Sequence, residues 1–388
     1  AAPAAPGNGN ILVVVQIAGG NDGLYSVAPY TDPLYAKSRP TLALSEKDIT
    51  PLTGQLGLNN QLADLKGLWD AGQMAIIMNV GYPNPNLSHF QSSYIWETLD
   101  MTGAQGTSRT GWLGNYLKSA GASNAHPFTG LDDGSQLSAT FMSPGISVPT
   151  IASTKSFDLV GDRTAPTATA QRTQQLLSLY QSFAQTDGAH NSHAQLLADT
   201  AQTSYTATQQ FAQAGKTYQP AANANYPKNS SLAASLQVVA TAITQGLNMR
   251  IGYVTIGGFD THADEQRTLD TLYLELAGSI AAFFRDLQAH NAGDNVLVMT
   301  WSEFGRRINE NGSLGTDHGT AAPLFVFGSG VAGGIHGDPP DLAHPDPNGN
   351  LVFKTDFRSV YATVIQNWLG GDAQTTLGGS FPLLDFVK

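Results

Sequence analysis

Ile11-Leu-Val-Val-Val-Gln-Ile17, followed at once by Ala18-Gly19-Gly20-Asn21-Asp22-Gly23, is the stretch on which the fold turns. A run so rich in β-branched side chains describes a strand covered on both faces, and such strands belong to parallel sheets. The glycine and Asx cluster behind it reads as a tight loop at the strand's carboxyl end. Asn60 to Gly72 sets Leu62, Leu65, Leu68 and Trp69 at helical spacing, and Met74 to Val80 is the next apolar run. Strand, helix, strand in that order predicts a right-handed crossover in a parallel sheet.

The same alternation returns later. Ile251–Ile256, Asn295–Trp301 and Pro323–Phe327 read as strands; Leu269, Leu272, Leu276, Ile280, Phe283 and Leu287 mark one face of a long helix, and Asp356 to Leu369 a final one. Between them, from 114 to 250, the chain is poor in strands, is broken at Pro144-Gly145 and Tyr226-Pro227, and carries helical patterns such as Leu176, Leu179, Tyr180 and Phe183. That stretch reads as a mostly helical insertion or cap. The expected organisation is one α/β domain over 11–388, with residues 1–10 extended or disordered.

Composition narrows the chemistry. The net charge of −11, with Lys and Arg scattered, argues against a nucleic-acid or anionic-membrane surface. With 9 His and no Cys, thiolate nucleophiles, disulfides and cysteine-ligated metals are excluded, so any metal must be held by oxygen and imidazole. The opening Ala1-Ala-Pro-Ala-Ala-Pro-Gly-Asn, together with only 13% charged residues, reads as the segment after a removed signal peptide, so the expectation is export to the periplasm or beyond. No apolar run approaches the roughly 18 residues that span a bilayer.

The candidate chemistry is positional. Asp22, Asp260 with His262, and Glu303 each follow a predicted strand, and Asp317 and His318 lie in a loop. Ligands of open parallel sheets bind beyond the carboxyl ends of the strands, so acidic groups from separate segments are expected to converge there. Packed carboxylates repel unless protons or a cation neutralise them, which makes these six residues candidate ligands of a divalent ion: Zn, Mn, Mg or Ca. In Asp260-Thr-His262 the two-residue spacing puts both side chains on one side of an extended segment.

Each residue also has a plain structural use. Asp22 suits a turn, Asp260-Thr-His262 a loop network or helix cap, Glu303 an ion pair with Arg306 or Arg307, and Asp317-His318 an orienting couple without metal. Ser88, at a helix start, is either a nucleophile favoured by the helix dipole or an N-cap, and His89 either a donor to the site or a packing residue. His190 and His193 fit a solvated helix face; His126, His290, His336 and His344 read as structural or surface. Gly328-Ser-Gly330-Val-Ala-Gly333 lacks the helix a dinucleotide loop needs, and no zincin, P-loop or Gly-x-Ser-x-Gly pattern occurs.

At Gly19-Gly-Asn-Asp-Gly23, Ser88-His-Phe90, Gly257-Gly-Phe-Asp-Thr-His262, Ser302-Glu-Phe-Gly-Arg306 and Gly315-Thr-Asp-His-Gly-Thr-Ala-Ala-Pro323, the chain resembles the bacterial family named domain of unknown function 1501. The likeness runs from about Ile11 to Leu369. Members of that family are often exported by the twin-arginine route, and it looks like a distant branch of the alkaline phosphatase and sulfatase superfamily. The resemblance implies an alkaline-phosphatase-like three-layer sandwich around a mostly parallel sheet. It implies metal ligands at Asp22, Asp260, His262 and His318, Glu303 in the place of an Asp-His pair's aspartate, and Ser88 in the nucleophile's place. Phe304 departs from the pattern, standing where that pair's histidine belongs; Asp317 is then a compensating ligand, and Arg306 and Arg307 candidates to meet an anionic group.

The function expected from this set is an exported metal-dependent hydrolase or transferase of phosphate or sulfate esters, with Ser88 or water as nucleophile and Arg306 as a catalytic cation. Its partner would be an anionic small molecule or polysaccharide, or a lipid. Two alternatives stand beside it: a non-catalytic metal- or glycan-binding envelope protein, and a carboxylic ester hydrolase using Ser88 with His318.

Overall fold

The computed structural model describes residues 8–122, 126–134, 136–151, 166–187 and 192–388. Residues 1–7, His190 and the side chain of His193 lie outside the described residues. The main sheet has eight strands: β1 (Ile11–Ile17), β2 (Met74–Gly81), β3 (Gly130–Asp132), β4 (Ile251–Ile256), β5 (Val296–Trp301), β6 (Ala322–Phe327), β7 (Gly334–His336) and β8 (Thr355–Asp356). Their order is β7-β2-β6-β5-β1-β4-β3, with β8 also paired to β2. All pairings are parallel except those of β6, which runs antiparallel to both β2 and β5.

β1 is central because its sequence permits nothing else. Leu12, Val13, Val14 and Val15 are each 0% exposed, so a position with solvent on either face would waste half the run. Its period-two alternation divides the core in two. Ile11, Val13, Val15 and Ile17 face one layer, built from α5 (Ser231–Thr244) and α6 (Glu265–Ala289) through Leu236, Val239, Leu276, Ile280 and Phe283. Leu12 and Val14 face the other, built from α1 (His89–Thr98), α2 (Trp112–Ser119) and α7 (Phe357–Thr363) through Trp96, Trp112 and Tyr361. Helix, sheet, helix is the three-layer α/β sandwich expected.

The stretch 114–250 departs from its reading as an insertion. β3 lies within it and extends the sheet beside β4, α5 covers one face of the sheet, and most of α2 covers the other. What stands apart is the antiparallel pair α3 (Pro166–Asp187) and α4 (Ser192–Thr217). Its root is held by Phe211 against Phe128, ring centroids 5.9 Å apart, and by Thr217 Oγ1 donating to Gln245 at 2.7 Å. Both partners lie just before β3 and β4, so the pair is rooted at the amino ends of the strands. No helix among the described residues is long and apolar enough to cross a membrane.

Candidate metal centre

Five segments meet at the rim where β1, β4 and β5 end. β1 runs into Gly19-Gly20, β4 into Gly257 to His262, and β5 into Ser302 to Arg306; β2 leads through a proline-stiffened loop to Ser88 and His89. Asp317 and His318 join them because β6 is antiparallel, which puts the segment before it at the carboxyl rim of its neighbours. The fit is close enough to require glycine. Gly19 has φ +123°, and a Cβ there would lie 2.4 Å from the Asp260 backbone nitrogen.

Three imidazoles are held in a common state. His318 Nδ1 lies 2.8 Å from the Leu87 carbonyl oxygen, which can only accept, so the proton sits on Nδ1. His89 Nδ1 lies 2.7 Å from Glu303 Oε1, which also accepts from the Gly19 N–H at 2.9 Å. His262 Nδ1 lies 3.2 Å from Asp317 Oδ1. Each ring thereby turns Nε2 toward Asp260. His262 Nε2 and His318 Nε2 are each 3.1 Å from Asp260 Oδ1, and His89 Nε2 is 3.4 Å from Oδ2. Phe304 forms an apolar wall, its ring centroid 4.4 Å from that of His318 and 4.9 Å from that of His89.

Two observations show that this donor set fits a cation. His262 Nε2 and His318 Nε2 are 3.1 Å apart, and in neutral rings protonated on Nδ1 both carry lone pairs there, which repel unless a proton or metal lies between them. His89 Nε2 is buried and has no hydrogen-bond partner among the described residues. Ligand atoms of His89, Asp260 and His318 all lie within 4.8 Å of one another, and imidazole with carboxylate suits Zn and neighbouring transition metals.

Electrostatics support the arrangement. Burial acts to raise the Asp260 pKa, but the Arg306 guanidinium hydrogen-bonded to it brings it down to about 2, so the carboxylate is charged. The Glu303 hydrogen bond raises the His89 pKa against the effect of burial, whereas burial lowers that of His318.

Several candidate residues do other work than expected. Asp22 is not in the centre: fully buried, it pairs with Arg39 and caps the turn at Gly23–Ser26 by accepting from Leu24 N at 3.0 Å. Burial opposes its ionisation, but Arg39 holds its pKa below the usual value, and the neighbouring Glu265 is pushed up to about 9 by burial and by Asp22. Glu303 and Asp317 bond the Nδ1 atoms of His89 and His262 rather than facing Asp260, and Asp317 serves His262, not its neighbour His318. Arg306, 1% exposed, cannot reach a substrate: it donates to the carbonyls of Gly20 at 2.7 Å, Thr316 at 2.9 Å and Phe259 at 2.9 Å, to Gly19, and to Asp260 at 3.0 Å. It fastens the loops together. Arg307 is exposed instead, close enough to help lower the Asp317 pKa.

Ser88 occupies the N-cap position of α1 but makes no side-chain capping hydrogen bond; among the described residues none joins its hydroxyl to His318. His89, left open by the sequence between donor and packing residue, is central. The available signal was its place one residue into a helix that starts at this rim. Away from the centre, His290 bonds the backbone carbonyl of the buried Asp286, His344 bonds the Asp341 side chain, and His336 bonds Asp385.

A family model described as a protein of unknown function, DUF1501, matches residues 71–363. No curated protein matches the chain. Solved structures with a similar course of chain include the C-terminal periplasmic domain of EcEptC from Escherichia coli in complex with Zn, at 11% identity and TM-score 0.37, covering 85% of this chain and 77% of that one. The lipoteichoic acid synthase LtaP from Listeria monocytogenes is another, at 8% identity and TM-score 0.40, covering 96% and 75%. The PsFucS1 sulfatase from Pseudoalteromonas sp. is a third, at 11% and 0.38, covering 98% and 73%.

Proposed function

This chain belongs to the DUF1501 family of proteins of unknown function, and from that premise we propose that it is an exported, metal-dependent hydrolase or transferase of phosphate or sulfate esters. One observation carries the reading: three imidazole Nε2 atoms converge on Asp260 while each Nδ1 is fixed by its own acceptor. His89, His262, His318 and Asp260 would hold the ion. A divalent cation there supplies Lewis-acid stabilisation of the charge that develops on the ester oxygens.

The rest falls to the chain itself. Glu303 and Asp317 fix the tautomer and direction of His89 and His262 and raise their basicity as ligands. Phe304 excludes water from one side of the rings. In this reading the Ser88 hydroxyl, unused as a cap at the start of α1, attacks phosphorus or sulfur, the ester bond to the alcohol oxygen breaks, and the hydroxyl proton passes to that leaving oxygen, with the N–H groups of the first turn available to the anion. Arg307 takes the role assigned from sequence to Arg306, meeting the non-bridging oxygens of an arriving anion.

The test begins with protein stripped by chelator and reloaded with Zn, Mn, Mg or Ca, then assayed on phosphomonoester, phosphodiester and sulfate ester panels. Metal-dependent turnover that disappears in folded His262→Ala and Asp260→Ala is the expected result. Silence on every panel, with no metal taken up, would sink the proposal. Phe304 in place of a polar ligand supports a second reading, a metal-binding envelope protein without turnover. Tight metal uptake with silence on the same panels selects it.

A further inference from the structure

Phe90 is 76% exposed, the most exposed large apolar side chain among the described residues. A lone exposed apolar group is ordinary on a protein surface. This one is not placed ordinarily. It follows His89 directly in the first turn of α1, so it stands about 100° around the helix from a side chain of the metal centre. Its backbone is held in place: Gln105 Nε2 donates to the Phe90 carbonyl at 3.3 Å, and the loop carrying Gln105 packs on α1, where a Cβ on Gly103 would lie 3.3 Å from Gln91 Cβ.

The frame around the ring is of one kind. Asn86 and Gln91 join their amides at 2.6 Å, Gln105 donates to the Phe90 carbonyl, and the stretch from Tyr82 to Thr110 carries one basic residue, the exposed Arg109, rather than a cluster. A face meant for an anionic lipid surface needs basic residues beside the apolar group. A face meant for a second protein buries several large apolar side chains, and among the described residues from Tyr82 to Ser108 Met101 is the one other exposed large apolar side chain beside Phe90. A flat aromatic face bordered by amides matches instead a pyranose ring, whose C–H face stacks on the aromatic ring while its hydroxyls bond the amides.

We infer that Phe90 is a stacking platform for a sugar ring, and that the substrate is a saccharide whose anionic ester enters the neighbouring metal centre. The substrate half of this inference rests on the ester-cleaving reading; the platform does not. Zinc-loaded full-length wild type, Phe90→Ala and Phe90→Trp would be titrated calorimetrically with a sulfated galactan hexasaccharide, a phosphorylated mannan oligosaccharide and the desulfated and dephosphorylated forms of each. The same proteins would be assayed on 4-nitrophenyl phosphate and 4-nitrophenyl sulfate.

Phe90→Ala should weaken saccharide binding about threefold to tenfold, the loss of one ring-stacking contact. Phe90→Trp should restore it, and kcat and KM on the small esters should not change. Wild type that binds no saccharide, or a Phe90→Ala variant that binds as well as wild type, overturns the platform. So does a Phe90→Ala effect confined to phosphatidylglycerol vesicles, or to self-association in sedimentation. If saccharides bind through Phe90 and no ester is cleaved by any of the proteins, the ester-cleaving reading fails and the platform stands. If small esters are cleaved and Phe90 is indifferent, the reverse holds.

Discussion

An imidazole that donates from Nδ1 keeps its lone pair on Nε2, and that lone pair is open to a metal or a proton but not both. His318 has its pKa lowered by burial, so at neutral pH a proton does not contest its Nε2 lone pair. His89 has its pKa raised above 6.5 by the Glu303 hydrogen bond, so its Nε2 is the one a proton contests near neutrality. Zinc affinity is therefore expected to climb as pH rises through and beyond 6.5, with the steepest part moved to lower pH in Glu303→Gln. Calorimetric titrations from acid to mildly alkaline pH would check this, and a flat profile contradicts it. The stability of the metal-free protein is expected to follow the opposite sign. A group whose pKa is raised in the folded state stabilises below its unfolded pKa and loses that contribution as pH rises through the folded one, so chelated protein loses His89's contribution toward alkaline pH.

Glu303 and Asp22 separate two uses of a buried carboxylate that look alike in sequence. Glu303→Gln keeps an acceptor for His89 but loses its charge, which should cost about 10–100-fold in metal affinity with folding intact. Asp22→Asn leaves Arg39 buried without its partner. It should lower stability by roughly 3 kcal/mol in denaturant unfolding, the low end for a broken buried pair, because Glu265 can ionise toward Arg39 in its place. Metal content should be unchanged, and its loss would return Asp22 to the centre. The sequence made both residues visible as acids after strands. It could not show that Arg39, 17 positions on, folds back onto Asp22, since that depends on the turn between them.

Among the elements, the loop after β1 decides how closely the rim can assemble. Gly19→Ala forces a Cβ against the Asp260 backbone nitrogen, and two backbones leave no flexible atom to yield. A loss of about 2–4 kcal/mol is expected, together with weakened metal binding. Gly9→Ala is the control: it has positive φ, +83°, with nothing within 4 Å of the added Cβ, so strain of about 1–2 kcal/mol should leave metal binding alone. Equal loss of metal in both variants would show that strain, not the approach to Asp260, governs the site.

Strand positions were legible because β1, β2, β4 and β5 are continuous apolar runs, buried along almost their whole length. The direction of β6 was not. A strand buried on both faces has the same composition whichever way it runs, and the pairing of β6 with β2 and β5 is fixed by its loops. That direction is what delivers Asp317 and His318 to the rim. The pattern at Leu176, Leu179, Tyr180 and Phe183 marked a helix but not its buried face: Leu177 is 8% exposed while Leu176 and Leu179 are 48% and 50%. A two-helix pair buries only a narrow stripe, and an offset of one residue then reverses which leucines lie inside.

Across the whole molecule, the site and the long helical pair belong to opposite ends of the sheet. The centre depends on loops at the carboxyl ends of β1, β4 and β5, each locked by Arg306; the pair is rooted through Phe211 and Thr217 beside the amino ends of β3 and β4. Gln174 Nε2 donates to Tyr205 OH at 3.0 Å across the pair, which marks a place where it can be shortened without touching the buried root at Ala207 and Phe211. Replacing 175–204 with a short Gly-Ser turn should leave a folded protein with the same metal content and the same kcat and KM on small esters. If the shortened protein binds metal but loses turnover on small esters, the pair reaches the site from its distal end and governs access, as part of the cap read over 114–250. If it loses metal as well, the coupling runs through the sheet, and the two rims are not the independent units that their separate anchoring implies.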